Sequence, residues 1–254
     1  MAPKSSPLGA PLPELPYAES DVKLGEFVRP WAFAEHEFLE WNIDDTGQVC
    51  KLDGTFRPGH GTGGTFRFVE GAGKLYQIWP ATDERGLQRI YFDSGHPRNV
   101  PPTWNGDSRG RFDPDGTLVV DTIGFNDKAW LNSDRWAHTE ELHVIERYRL
   151  FGGGKYMQLR VFVDDRKALK APYTYTRYYT KMPEATEGGE NICNQNLPED
   201  DLWAIRRNRL LAEHDAQLKA LVDKYATEPL PQRDPPPAAP GPRTPDKLRA
   251  LAGV

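Results

Sequence analysis

Between residues 65 and 181 the chain breaks into short runs that alternate apolar and polar side chains. Most of these runs end within two residues of a glycine or proline. Alternation with a period of two marks a strand with one buried face, whereas a helix spaces its apolar residues three and four apart. This pattern confines the fold to sheet architectures. Strands are expected over 38–43, 65–70 (TFRFVE), 75–79, 88–92 (QRIYF), 116–122 (GTLVVDT), 141–150 (ELHVIERYRL), 155–163 (KYMQLRVFV) and 172–181 (PYTYTRYYTK). Asp113-Pro114-Asp115-Gly116 and Gly152-Gly153-Gly154 supply turns between them. Eight strands joined mostly by short turns suggest an antiparallel meander, closed into a barrel or strongly curved.

The flanks differ in composition. Residues 1–30 are Pro-rich and aperiodic and read as an extended arm, and 31–197 hold the sheet domain. A helix is expected over 198–226, because Pro198-Glu199-Asp200-Asp201 places acidic residues at a helix start. Leu202, Ile205, Leu210, Leu211, Leu218 and Leu221 form its apolar stripe, which would pack on the barrel. Residues 227–254 read as a Pro-rich tail.

Composition removes several function classes. Lys plus Arg is 32 and Asp plus Glu is 37, so the basic excess of a nucleic-acid binder is missing. No apolar run approaches the ~18 residues of a membrane span. Residues 1–10 show no signal peptide, which fits a cytoplasmic protein and equally an exported one in mature form. Cys50 and Cys193 stand far apart and outside any CxxC pair, so a structural zinc site is not expected. Two buried thiols and one long-range disulfide both remain open.

Residues 102–148 read PTWNGDSRGRFDPDGTLVVDTIGFNDKAWLNSDRWAHTEELHVIERY. This stretch resembles a large, poorly characterised bacterial family with a pattern like GxSxGRWEGDTLVVDTxGFN…W…HSxxLHxxERY. Glu190 to Asn196 is similar, more weakly, to its EYxCxxN segment. The resemblance implies a lipocalin-like (calycin-type) β-barrel with the C-terminal helix added, and it implies no particular reaction. Many members are exported. Asp107 stands where that family commonly has His.

Three ionisable residues stand out. On the 141–150 strand, Leu142, Val144, Glu146, Tyr148 and Leu150 share a face that is apolar apart from Glu146 and the Tyr148 hydroxyl. An inward carboxylate needs partners, and burial raises its pKa toward the range useful for acid–base work. A buried ion pair would explain Glu146 as well. Asp121 lies in a strand apolar on both faces, where catalysis or capping of the loop at Gly124 would account for it. His138 precedes the long strand, in a loop flanked by Trp130 and Trp136, and His titrates near neutral pH. Trp104, Trp130, Trp136, Phe125, Tyr148 and Tyr178 are the expected ligand-binding aromatics, suited to a planar or greasy molecule. No HxH or HExxH pair and no nucleotide-binding motif is present, so neither a metal nor a cofactor is expected. His60 sits in a Gly-rich loop, 58–64, that reads as an entrance hairpin.

The reading is an enzyme of the lyase or isomerase type. His138, with Glu146 or Asp121, would move protons on a small hydrophobic or aromatic molecule held in the barrel, in isomerisation, hydration or dehydration, or cyclisation. The alternative is a non-catalytic carrier of a small apolar ligand. The terminal helix could dock a second subunit and make a homo-oligomer.

Overall fold

The computed structural model describes residues 24–40, 44–47, 51–54, 66–79, 87–92, 95–132, 135–183, 200–217 and 219–220. Eight strands form one sheet in chain order: β1 Arg67–Gly71, β2 Lys74–Ile78, β3 Leu87–Tyr91, β4 Asp107–Phe112, β5 Leu118–Ile123, β6 His143–Phe151, β7 Tyr156–Asp164 and β8 Tyr173–Thr180. The sheet curls into a half-barrel with β1 and β8 as its outer strands.

Local chemistry explains the turns. Ala72 and Gly73 both have positive φ, the requirement of the two-residue hairpin turn that matches strand twist. The Asp115 carboxylate accepts from the Thr117 N–H at 3.0 Å, and Gly116 takes φ 87° to bring β4 back as β5.

Two expectations change. Pro30–Phe38 forms a helix, α1, and Phe38 is its last residue, not the start of a strand; 41–43 lie outside the described residues. Pro30 is pre-set for the first helical turn, and Ala32, Ala34 and Glu35 favour helix over the short aromatic run. The eighth strand is instead β4, Asp-Ser-Arg-Gly-Arg-Phe, which has no apolar alternation to announce it. It also breaks the meander, because β4 pairs with β3 in parallel while the other neighbours are antiparallel.

The inner face is apolar at its centre. Leu75, Ile90, Leu118, Val120, Val144 and Val163 have no exposed surface. The last residues of the expected N-terminal arm enter this core: Leu24 and Val28 are buried, and Val28 bridges to Leu169. The C-terminal helix, α2 Asp200–Glu213, falls within the expected range but docks by charge. Arg206 pairs with Asp44 at 3.1 Å, Arg207 pairs with Glu35 at 3.1 Å, and His214 stacks on Phe38. Ile205 of the expected apolar stripe is 59% exposed. Among the described residues no helix is long and apolar enough to cross a membrane. Cys50, Cys193, the 58–64 loop and the 227–254 tail lie outside the described residues.

Gly124 closes β5 against the crossover between β3 and β4. Its φ is 73°, and a Cβ there would stand 2.2 Å from Val100 Cγ1. Gly124→Ala is expected to cost about 3 kcal/mol, from left-handed strain plus overpacking, read as a lower urea midpoint.

Candidate functional site

Strand register sorts the expected site residues onto two faces. Val120 is the Cα partner of Glu146, so Asp121, the next residue, points away from Glu146. The two carboxylates lie on opposite sides of one sheet and cannot act on one substrate atom. Sequence alone could not show this, because register decides which residues meet.

On the inner face Glu146 is the hub of a polar network. The Tyr148 hydroxyl stands 2.8 Å from Glu146 Oε1 and 3.0 Å from Gln77 Oε1. The Gln88 Nε2 amide donates to Glu146 Oε2 at 3.0 Å and to Ser108 Oγ at 3.2 Å. Ser108 and Thr122 exchange a hydroxyl hydrogen bond at 2.9 Å. All six residues are buried. Burial, with the Glu146 carboxylate alongside, pushes the Tyr148 hydroxyl well above its usual pKa. Phe66, Phe68 and Tyr179 pack edge-on around this end of the interior, Phe68 perpendicular to Tyr148 at 5.2 Å.

On the outer face four side chains form a chain of alternating carboxylates and imidazoles. His143 Nε2 lies 2.7 Å from Asp121 Oδ1. Asp121 Oδ1 lies 3.5 Å from His96 Nε2, and His96 Nδ1 lies 2.7 Å from Asp107 Oδ1. Arg109 closes the far end with two bonds to Asp107, Nε to Oδ1 at 2.7 Å and Nη2 to Oδ2 at 2.8 Å. It also lies over the Tyr91 ring. Regular structure explains the convergence. Asp107 and Arg109 share a face of β4, Arg109 is the Cα partner of Asp121 on β5, and His143 sits diagonally across β6. His96 comes from the crossover. These side chains are 8–18% exposed, shielded yet within reach of solvent.

Burial alone would raise the Asp121 carboxyl; the His143 hydrogen bond and the positive charge of His143 and His96 outweigh it and hold it down at about 2. Burial also raises the Asp107 carboxyl, and Arg109 with His96 brings it below the usual range. Burial opposes charge on His96, and the two aspartates overcome it and raise its pKa.

His138 occupies a third environment. It is buried, its ring Nδ1 lies 3.0 Å from the Thr139 carbonyl, and the charged groups acting most strongly on it are Asp165, Asp127 and Arg207. Burial depresses its pKa despite the two aspartates. It does not join Glu146 or Asp121 as expected. The expected ligand-binding aromatics also do not share one surface. Phe125, Trp130 and Trp136 are buried, and Trp136 stacks on His36 at 4.3 Å. Trp104 stays partly exposed with the Lys128 ammonium 5.9 Å from its ring. Tyr178 lies on the outer face and accepts from Gln158 at 2.9 Å, opposite to Tyr148. Among the described residues no three His, Cys, Asp or Glu side chains are grouped to hold a metal ion.

Two acid transitions follow. The depressed His138 favours its neutral form, so its contribution is present above the unfolded pKa of about 6.5 and fades as pH falls toward the lower folded value. The depressed Asp121 contributes above pH ~4, roughly 2 kcal/mol, lost as pH falls toward 2. Urea midpoints measured from pH 7 to pH 2.5 are expected to drop in both windows. Asp121→Asn should shrink the lower drop, leaving the share of Asp107, and keep the upper one.

Comparison with known proteins leaves the chain on its own evidence: no family model matches it, and no curated protein and no solved structure is similar to it.

Proposed function

We propose that this half-barrel is an enzyme that moves protons on a small molecule with an apolar or aromatic portion, and that His143 and Asp121 carry the chemistry. The observation behind this is the His143–Asp121 hydrogen bond of 2.7 Å, built on adjacent strands and shielded but not sealed. The reading keeps Asp121 from the sequence analysis, replaces His138 by His143, and assigns Glu146 to structure.

The geometry gives each group a task. Neutral His143 donates its Nε2–H to Asp121, which leaves the Nδ1 lone pair as a base. Nδ1 accepts a proton from a carbon acid or a water. Asp121, ionised down to about pH 2, stabilises the imidazolium that forms. The imidazolium then returns the proton to another atom of the same molecule. Isomerisation, hydration or dehydration, and cyclisation all reduce to these two transfers. Trp104, partly exposed in the crossover that delivers Asp107, offers an apolar surface for the substrate.

The aromatic interior favours a second reading, a carrier that holds an apolar ligand near Phe66, Phe68 and Tyr148. A base-catalysed ring opening separates the two. 5-Nitrobenzisoxazole opens to its cyanophenol when a base removes one carbon-bound proton, and it needs nothing else. The wild-type protein is expected to open it at least tenfold faster than His143→Ala. Equal rates, with the folded state intact by circular dichroism, would reject the proposal and leave the carrier.

A further inference from the structure

His96 is the least expected member of the outer-face chain. It comes from a crossover whose later part is firmly held. Thr103 bridges to Phe125 with backbone bonds of 2.9 and 2.7 Å, and Val100 packs on Gly124. The earlier part, 95–99, has no such support. Gly95, Pro97, Arg98 and Asn99 are exposed, and among the described residues no backbone hydrogen bond ties 95–99 to the sheet. The His96 side chain is the tie.

The chemistry of that tie depends on one proton. Both imidazole nitrogens face carboxylates: Nδ1 faces Asp107 at 2.7 Å and Nε2 faces Asp121 at 3.5 Å. Nε2 is buried, and its approach to Asp121 is too long for a good hydrogen bond. A protonated ring has an N–H on each side, and both contacts attract. A neutral ring has one N–H. With that proton on Nδ1 for Asp107, the Nε2 lone pair meets the Asp121 carboxylate in a shielded site, and the contact repels. The other charged and titratable groups facing this point are Arg109 from β4, committed to Asp107, and His143 from β6, which competes for the same Asp121 oxygen. Arg98 lies exposed in the crossover itself.

We infer that His96 is a proton-operated latch, which when charged pins residues 95–99 across Asp107 and Asp121 and when neutral releases them, leaving Asp121 to His143 alone. The latch regulates the site proposed above and rests on that reading for its purpose, though not for its geometry. Its release is shifted upward from the ordinary His value, because the two aspartates raise the His96 pKa. The segment is therefore held in acid and freed in base.

The test needs no substrate. Carbon-detected backbone relaxation of 95–99 would be recorded from pH 5.5 to 9.5, beside the side-chain titration of His96. The latch requires rigid relaxation at low pH, loss of rigidity at high pH, and one shared midpoint with the His96 ring. Residues 100–106 should stay rigid throughout. His96→Gln, which cannot be charged, should leave 95–99 mobile at every pH. Unchanged relaxation of 95–99 while His96 titrates would overturn the latch, and so would a His96 that stays in one state across the range. A working latch without turnover of 5-nitrobenzisoxazole would remove the proposed chemistry and leave the device standing.

Discussion

Glu146→Ala is expected to lower the unfolding free energy by about 3 kcal/mol or more. The carboxylate receives the Gln88 amide and lies within reach of the Tyr148 hydroxyl, and these three side chains are 0–3% exposed. Removing it leaves two buried polar groups without that acceptor, at about 1–3 kcal/mol each, and opens a space on the inner face. Glu146→Gln keeps the volume and one acceptor oxygen, and should cost about 1 kcal/mol. Urea unfolding measures both. The same pair of variants separates two roles. A Glu146→Gln protein that stays stable but stops opening 5-nitrobenzisoxazole would move the chemistry to the interior and away from His143.

Asp121→Asn is expected to reduce turnover of that probe by about 10²-fold or more, with little change in KM. The amide is nearly isosteric, so the fold should persist. It carries no charge to stabilise the imidazolium. It can also present an N–H to His143 Nε2, which reverses the ring's hydrogen bond and puts the proton on Nδ1, the nitrogen that must act as base. A kcat within threefold of wild type would show that Asp121 only supports the sheet. Because Asp121 also faces His96, the variant should loosen 95–99 as well, which relaxation data would report separately from kcat.

Much of the sheet was legible because most strands other than β4 carry an alternation or, like β5, a short apolar run bounded by turns. β6 is the clearest case, with Val144, Glu146 and Tyr148 inward and His143, Ile145 and Arg147 outward. β4 was illegible for a reason the packing makes plain. Its inward residues are Ser108, Gly110 and Phe112, and a Cβ on Gly110 would come within 2.6 Å of Ile90 Cγ2 and 2.9 Å of the Phe92 ring. The neighbours fill the space that a strand signal normally occupies, so the sequence looks like a polar loop. α1 is not announced by the sequence because no side-chain cap marks its start, and the strand expected over 38–43 begins at its last residue.

The site was legible in part. Glu146 was placed inward from alternation alone, and its burial agrees. The partners were not readable. Gln77, Gln88, Ser108 and Thr122 meet Glu146 and one another only through cross-strand register. Asp121 and His143 are 22 residues apart, and His96 is remote from both in sequence. A clue existed in Asp107, Arg109, Asp121 and His143, four ionisable residues that share one face of β4, β5 and β6. Using it required knowing that β4 is a strand. Trp130 and Trp136 flank the His138 loop in sequence, which suggests ligand contacts, yet that loop packs into the core, where Trp136 joins the aliphatic side chains of the half-barrel.

The most direct measurement is the tautomer of His143, read from the side-chain 15N spectrum of the folded protein in alkaline buffer. The account requires the proton on Nε2, directed at Asp121, and a bare Nδ1 able to accept a proton from a bound molecule. A proton found on Nδ1, with Nε2 bare beside the carboxylate, would contradict it.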